Sequence, residues 1–528
     1  MSSFTPSAVL ADSTLTHDRL DDLAERVRTV GERSSIDVRT PATDERVGVV
    51  PACEAADVDV AVERARSAQV AWAERTPRER AAVLFRFADL VLDLREELLD
   101  AIQIETAKAR EHAFEEVLDV VNTAGYYGKD GPGLLDDRNR TGPAPFLTSA
   151  VETYEPVGVV GVISPWNYPM TLSMADVLPA LLTGNAVVCK PDERTPFATL
   201  LLAELLEAAG LPEDVFSVVT GEGSVVGPAL IDRVDYVAFT GGTETGRVVA
   251  ERAGKNLIDC SLELGGKNPM LVLDDADVET AARGAVKGAF TNAGQLCLAP
   301  ERIYVDETVY DEFLDAFVGK TRELTLGVGV GYQGDVGSLI DERQLDRVRE
   351  HVDGAVEDGA SVLTGGRHRP DVGPFCYEPT ILEGVEPDSQ VACEETFGPV
   401  VSVYPVSGVE EAVSRANDSE YGLNASVYTR DTKRGRAVAR QIDCGTVCVN
   451  DPFTVGWASM DAPMGGFGDS GLGRRHGEVG LLQYVESRTI ATSAFGPMER
   501  PASLPGRWFI RLSSGALRVQ TRIRRWLS

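Results

Sequence analysis

Residues 186–220 read AVVCKPDERTPFATLLLAELLEAAGLPEDVFSVVT. Ala186–Cys189 is an apolar run of strand length, Ala198–Ala209 carries a helical pattern, and Phe216–Thr220 is a second apolar run. Strand-length runs without polar alternation suit strands buried on both faces, as parallel sheets covered by helices require. The rhythm extends outward, with runs at Val157–Ser164 and Tyr236–Phe239 and a helical pattern at Thr245–Ala253. Buried strands alternating with helices imply an α/β fold built on a parallel, doubly wound sheet. A second series follows at Arg302–Val305, Ser361–Thr364, Val400–Tyr404, Ala425–Thr429 and Thr446–Asn450, again with helices interleaved. Two α/β domains are therefore expected, within the two to four that 528 residues allow at roughly 100–200 residues per domain.

Upstream, residues 1 to about 140 read as helical after a polar lead. Val58, Val62, Ala65 and Trp72 share one helical face. Thr76-Pro77-Arg78-Glu79 combines a capping box with Pro at the first helical position, ahead of an apolar-periodic run from Ala81 to Ile102.

With 43% hydrophobic and 25% charged residues, the composition is that of a globular protein. No run approaches the ~20 apolar residues that span a bilayer. The first thirty residues lack the basic-then-apolar pattern of a signal peptide, so a cytoplasmic location is expected. Acidic residues outnumber basic ones 82 to 51, a formal charge of −31, and only 8 of the basic residues are Lys against 43 Arg. An acidic, Lys-poor surface stays hydrated in high salt, which points to a halophilic source. Such a body repels phosphates and excludes nucleic acid as a partner. Eight Cys are too few for a disulfide framework. Cys444 and Cys448 are the one close pair, and no second pair completes a zinc site, so no metal is expected.

The last residues differ. Residues 500–528 hold seven Arg and no acid, and removing those seven from −31 leaves −38 on residues 1–499. Wound as a helix over 508–526, Trp508, Leu512, Ala516, Val519, Ile523 and Trp526 form one stripe. Arg511, Arg518, Arg522 and Arg525 form another, and Gly515 weakens the helix. This is the pattern of a helix lying at a membrane surface. Docking on the acidic body of the same or a neighbouring subunit is the other reading.

Three motifs bear chemistry. In Phe290-Thr291-Asn292-Ala293-Gly294-Gln295-Leu296-Cys297, a Gly-containing turn precedes a Cys and can expose its sulfur together with free backbone N–H groups. A buried structural Cys is the alternative. In Leu262-Glu263-Leu264-Gly265-Gly266-Lys267-Asn268-Pro269, the acid sits at an apolar strand end, where a raised pKa suits a general base; a solvated loop acid is the alternative. In Pro165-Trp166-Asn167-Tyr168-Pro169, an Asn amide at a strand's carboxyl end can donate to an oxyanion, or simply occupy a turn between prolines.

Other stretches join these in order: Phe239-Thr240-Gly241-Gly242-Thr243-Glu244-Thr245-Gly246, Lys190-Pro191-Asp192-Glu193, Glu394-Glu395-Thr396-Phe397-Gly398-Pro399, and Pro463-Met464-Gly465-Gly466 running into Ser470-Gly471-Leu472-Gly473-Arg474. From about residue 35 to 495 the chain resembles the aldehyde dehydrogenase superfamily, and the 34 residues from Glu263 to Cys297 match it as well. The resemblance implies a Rossmann-like cofactor domain (1–140 and 157–264), an α/β catalytic domain (265–468), a β oligomerisation arm (141–156 and 484–497) and the basic tail (498–528). It also implies a homodimer or homotetramer.

The resemblance assigns roles as well. Cys297 attacks the aldehyde to give a thiohemiacetal, Asn167 and the Cys297 backbone N–H hold the oxyanion, and Glu263 activates the water that hydrolyses the thioester. Lys190 and Glu193 meet the adenosine ribose. Gly241–Gly242 opens a helix toward the pyrophosphate. Glu395 binds the nicotinamide ribose with Phe397 against the ring, and Trp166, Gly223, Phe239, Thr245, Leu264 and Gly265 complete the cofactor set. Gly242 departs from the Ser common in the family and loses one hydroxyl contact. Glu193 accepts from a ribose 2′-OH and repels a 2′-phosphate, which favours NAD over NADP, although neighbouring Arg194 could soften that repulsion. The five His match no catalytic position of the family, which disfavours a papain-like pair.

Gly294–Cys297 running to Glu301–Val305, and Asp469–Gly477, resemble succinate-semialdehyde dehydrogenases. That class places Arg where this chain has Thr291 and Ala175, and a substrate carboxylate wants a buried Arg. Tyr168, Leu172, Leu296, Leu298 and Met464 are expected as pocket walls. The expected substrate is an uncharged aliphatic or aromatic aldehyde. Succinic semialdehyde, anchored by an Arg from elsewhere in the fold, is the alternative. A non-catalytic scaffold is opposed by the intact Asn167, Glu263 and Cys297, and a thiol esterase by the complete cofactor motifs.

Overall fold

The unit that opens the sequence reading folds as two strands joined by a helix: Ala186–Lys190, Pro196–Ala208 and Phe216–Val218. All five residues of the first strand are buried. Pro196 occupies the first helical turn, where its missing N–H costs nothing. A computed structural model describes residues 8–143, 147–494, 496, 498–500 and 502–527.

Six strands form the first sheet, in the order Gly471–Leu472, Asp259–Glu263, Tyr236–Thr240, Val159–Ile163, Ala186–Lys190, Phe216–Val218. All neighbours run parallel except the first pair. The second sheet orders seven strands as Ser361–Thr364, Thr380–Glu383, Val400–Val406, Pro300–Asp306, Asn268–Val272, Asn424–Tyr428 and Thr446–Val449. Only its edge strand Ser361–Thr364 is antiparallel. Each sheet lies in its own apolar core. Asn268–Val272 and Thr380–Glu383 lie outside the runs read as strands; Pro269 broke the first pattern, and four residues are too few for the second to stand out.

The amino-terminal region is not wholly helical. Ser35–Arg39 and Arg46–Pro51 pair as an antiparallel hairpin, with Val38, Val47 and Val50 buried along it. The run from Ala81 to Ile102 is two helices, Pro77–Asp93 and Arg95–Thr106, broken at Leu94 (φ −101°, ψ 18°). The Thr76 cap is present in both directions: Glu79 N–H donates to Thr76 Oγ1 at 3.3 Å, and Thr76 N–H to Glu79 Oε2 at 2.7 Å. Val58, Val62, Ala65 and Trp72 are buried along Ala55–Ala73, where the Trp72 indole donates to Leu181 O at 2.9 Å.

Residues Asp136–Glu155 and Ser487–Ser528 make a separate small unit. Its antiparallel sheet orders Val485–Ser493, Thr148–Pro156 and Arg138–Arg140, with Arg140 paired to Glu152 and Arg488 to Glu155. Gly506–Leu527 is one helix, on which Trp508, Leu512, Val519, Ile523 and Trp526 are exposed. Within the stretches expected as arm and tail, residues 144–146, 495, 497, 501 and 528 lie outside the described residues. Among the described residues no helix is long and apolar enough to cross a membrane.

Candidate active site

Helix Val278–Phe290 runs into a tight turn, Thr291–Gly294. Asn292 and Ala293 adopt left-handed backbone (φ 53° each), and Gly294 follows at φ 71°. A Cβ on Gly294 would collide with the Gly398 carbonyl oxygen, so only Gly fits there. Three Asn amides pin the chain beyond the turn. Asn167 Nδ2 donates to Gln295 O at 3.0 Å, and Asn292 Nδ2 to the same oxygen at 3.1 Å. Asn268 Nδ2 donates to Cys297 O at 2.7 Å and Ala299 O at 2.9 Å. The Gln295 side chain is itself held, donating to Asn292 O and Ser338 O at 3.1 Å each and accepting from Ile340 N–H at 2.9 Å. Cys297 emerges half-buried from this scaffold.

Asn167 stands beyond the carboxyl end of strand Val159–Ile163, just before helix Pro169–Leu182. Its carbonyl accepts from Lys108 Nζ at 2.6 Å. Lys108 pairs with Glu116 at 2.7 Å, both side chains fully buried. Glu116 Oε2 in turn accepts the first helical N–H groups, Met170 at 2.9 Å and Thr171 at 3.3 Å. The loop carrying Asn167 is therefore tied at its carbonyl and at the helix that follows.

Glu263 ends the strand Asp259–Glu263 and is buried. Its Oε2 has no hydrogen-bond partner. Burial pushes this carboxyl up to about 8, helped by Asp176 and opposed by Arg475 and Arg474. The Cys297 thiol is pushed up to about 12, mainly by burial, with the carboxylates of Glu395 and Glu263 adding to the shift. A thiol and an acid, each held near its neutral form, thus face a common field. His112 Nδ1 accepts from the Asn292 N–H at 3.2 Å, its ring held neutral by burial (about 4). It bonds the turn and not the sulfur.

A second cluster surrounds the carboxyl ends of the first sheet. Strand Tyr236–Thr240 passes through Gly241–Gly242 into helix Thr243–Asn256, whose N-cap Gly242 offers no capping side chain. Its first N–H groups are open to an anion. A Cβ on Gly241 would lie 2.6 Å from the Phe239 ring, and one on Gly246 would strike Leu264. Thr245 is exposed on the first helical turn. Lys190 ends its strand with Nζ 2.9 Å from Glu193 Oε2, and lies 3.7 Å from where a Gly223 Cβ would stand. Trp166 meets Phe397 edge-on at 5.5 Å. Glu395 Oε1 accepts from Gly266 N–H at 2.9 Å, and Oε2 would lie 2.8 Å from a Cβ on Gly265. Burial and nearby Glu301 raise Glu395 to about 8. Glycines wherever a side chain would block the groove, a helix N-terminus, a buried ammonium and a carboxylate at each end together fit a dinucleotide. Arg194 is engaged elsewhere: it donates to Asp192 at 2.8 and 2.9 Å and to Asp341 at 2.8 Å, so it does little to soften the field of Glu193.

A cavity of about 140 Å³ opens on Cys297 and Asn167. Tyr168, Leu172, Leu296 and Leu298 line it. Met464 does not; it packs behind the wall, in an apolar cluster with Leu298, Leu423 and Phe453 against which Leu296, Cys297 and Trp457 rest. Helix Arg110–Leu134 contributes Glu115, Leu118, Asp119 and Asn122, and a later segment adds Phe453, Thr454, Trp457 and Ala458. Among the described residues two carboxyls line the cavity and no basic side chain does. Asp119 Oδ1 accepts from the Trp457 indole at 2.5 Å, and burial lifts Asp119 to about 7. Thr291 donates to Lys287 O and Ala175 is buried; neither lines the cavity.

The model of the aldehyde dehydrogenase family matches residues 28–490. The chain belongs to this family. A Mycobacterium tuberculosis relative, provisionally named a succinate-semialdehyde dehydrogenase [NADP(+)], is 48% identical over 495 residues, 94% of this chain and 95% of the relative. A succinate semialdehyde dehydrogenase of Acinetobacter baylyi is 34% identical over 449 residues, 84% and 92% of the two chains. Among solved structures, a point mutant of Staphylococcus aureus betaine aldehyde dehydrogenase in complex with NAD+ superposes with a TM-score of 0.86 at 33% identity, covering 92% of this chain and 99% of that one. An NAD+ complex of a Bacillus cereus aldehyde dehydrogenase gives 0.83 at 36% identity, covering 87% and 94%.

In this aldehyde dehydrogenase, several supporting residues escaped the sequence reading. Asn268, Asn292 and Gln295 stand inside the two motifs, and their amides were the available signal. Lys108 and Glu116 carried none, since charged residues eight apart are ordinary on a solvated face. Only the tertiary structure buries them.

Proposed function

We propose that this enzyme oxidises an uncharged aliphatic or aromatic aldehyde to its acid, with NAD favoured over NADP. The observation that carries the reading is the cavity in which Cys297 and Asn167 converge and which no basic side chain lines. The Cys297 thiol gives its proton to solvent as its sulfur adds to the carbonyl carbon, and the carbonyl oxygen takes the electron pair. The Asn167 amide and the Cys297 backbone N–H donate to that oxygen. A nicotinamide cofactor, held as described below, would supply the acceptor for the hydride that this carbon gives up. Cys297 is left holding a thioester. Glu263 then takes a proton from water, whose oxygen adds to the thioester carbon. The C–S bond breaks, sulfur leaves with the electron pair, and the acid is released.

For the cofactor, Lys190 and Glu193 would hold the adenosine ribose, the Gly242 helix end the diphosphate, and Glu395 the second ribose. The engagement of Arg194 by two aspartates supports NAD. The names of the 48% identical relatives favour NADP, so kcat/KM for both is the direct measurement. The same names favour succinic semialdehyde as a second reading for the substrate. Glu115 and Asp119 do not favour it: burial raises both toward their neutral forms, and neither gives a substrate carboxylate a cation to pair with. An aldehyde panel in high salt decides: succinic semialdehyde outperforming medium-chain and aromatic aldehydes a hundredfold would overturn the first reading.

We assign residues 1–140 and 157–264 to cofactor binding, 265–468 to catalysis, and 141–156 with 484–497 to pairing of subunits in a homodimer or homotetramer. The reading includes a cytoplasmic enzyme whose helix Gly506–Leu527 rests on an anionic lipid surface. The exposed Trp508 and Trp526 support it. Flotation with anionic liposomes, comparing the full chain with one ending at residue 499, tests it; equal flotation ends the idea.

A further inference from the structure

Glu263 is bracketed by a buried ion pair that the mechanism above leaves unused. Arg475 donates from Nε to Asp176 Oδ1 at 3.1 Å and from Nη2 to Oδ2 at 2.5 Å. The two side chains are 3% and 1% exposed. Tyr484 Oη donates to Asp176 Oδ1 at 2.8 Å, and Arg475 Nη2 also donates to Thr240 Oγ1 at 2.5 Å.

Thr240 is the register partner of Glu263 on the adjacent parallel strand. The guanidinium is thus tethered to the residue beside Glu263 in the sheet. From the other side, the Arg475 backbone pairs with Met464 at 2.7 and 2.9 Å, and a Cβ on the next residue, Gly465, would stand 2.9 Å from Glu263 Oε1. The charged and titratable groups acting on Glu263 are Arg475, Asp176 and Arg474, with the Cys297 thiol coupled to it. Arg474 is only half-buried and donates to the Gly466 carbonyl at 3.1 Å, so solvent weakens its field.

Two physical points make this pair more than a brace. A buried ion pair adds little net stability over an apolar pair of similar volume. And Glu263 Oε2 has no hydrogen-bond partner among the described residues, so what the protein itself brings to its ionisation is burial and nearby charge. We propose that Arg475 and Asp176 are opposed positioning residues for Glu263: the guanidinium favours its carboxylate, Asp176 restrains that effect, and their balance sets the pH at which thioester hydrolysis switches on. The proposal rests on the reading of Glu263 as the base.

The test is single-turnover oxidation of an aldehyde in molar salt, where surface charge is screened, following the burst of reduced cofactor and then acid release against pH. Arg475→Gln is expected to move the midpoint of acid release up by about one pH unit or more, and Asp176→Asn to move it down by a similar amount. Arg475→Lys keeps the charge and is expected to stay near the parent. A bracing role would lower the rate in both single variants without opposite shifts. Midpoints that stay put, or that move the same way, overturn the proposal. Should a single variant fail to fold, the double variant Asp176→Asn/Arg475→Gln removes both charges. Its midpoint is expected above the parent, because the guanidinium is the stronger influence; an unmoved one overturns the proposal. Glu263→Gln separates the two ideas: it should keep the burst and lose acid release. If acid release persists, the reading of Glu263 fails, whatever the pair does.

Discussion

The groove around Gly241 and the cavity at Cys297 are built in opposite ways. The groove is backbone: strand ends, glycines where a Cβ would collide, and an uncapped helix N-terminus, all set by short contiguous motifs. The cavity is side chains drawn from Glu115–Asn122, Asn167–Leu172, Leu296–Leu298 and Phe453–Ala458, four stretches well separated along the chain. A ligand common to a whole family can be met by backbone, which hardly varies with side-chain identity. A substrate that distinguishes one member must be met by side chains.

Cys297 stands where the two meet, so Cys297→Ala should have the largest effect. Loss of at least about 10⁴-fold in aldehyde-dependent cofactor reduction is expected, and persisting activity would break the mechanism for both regions. Glu263→Gln should come next, lowering turnover by about 10²–10⁴-fold while the initial burst survives. On the proposed role of Glu263 as the base, acid release in the parent should rise with pH as the carboxyl ionises, with a midpoint near 8. Asn167→Ala should cost about 10²–10³-fold in kcat, the worth of one oxyanion donor; a change confined to KM would reduce Asn167 to a wall of the cavity.

The remaining two predictions separate groove from cavity, each with an effect of about tenfold. Above about pH 7, where Asp119 is ionised, Asp119→Asn should narrow the preference for uncharged over carboxylate-bearing aldehydes by about that factor, leaving the NAD/NADP ratio unchanged, as parallel aldehyde and cofactor titrations would record. Glu193→Gln should raise NADP use relative to NAD by about the same factor, leaving the aldehyde ranking alone. If either variant moves both properties, the two regions are not independent.

The legibility of the chain follows the same division. The apolar runs around residues 157–239 and the Gly241–Gly242 helix start were readable because each is a local pattern whose period declares itself. The hairpin at residues 35–51 was missed because Val38, Val47 and Val50 are too few to establish a period of two. The helix break at Leu94 was missed because no Gly or Pro marks it. Tyr168 and Leu298 could be placed at the cavity by their nearness to Asn167 and Cys297, whereas Met464, remote from both in sequence, packs one layer behind its wall.

By itself the sequence determined the alternation of strands and helices and the glycine turns, since these depend on residues within a turn or two of each other, and it offered Cys297, Glu263 and Asn167 as candidates through the motifs around them. Only the tertiary structure decided that Lys108 and Glu116 hold the Asn167 loop, that Asp119 faces the substrate cavity without a basic partner there, and that Arg475 closes on Asp176 across 299 residues beside Glu263. The reason is electrostatic. A charged side chain in a sequence looks solvated until the fold removes its water, and what it then does depends on which partner the fold has brought to it.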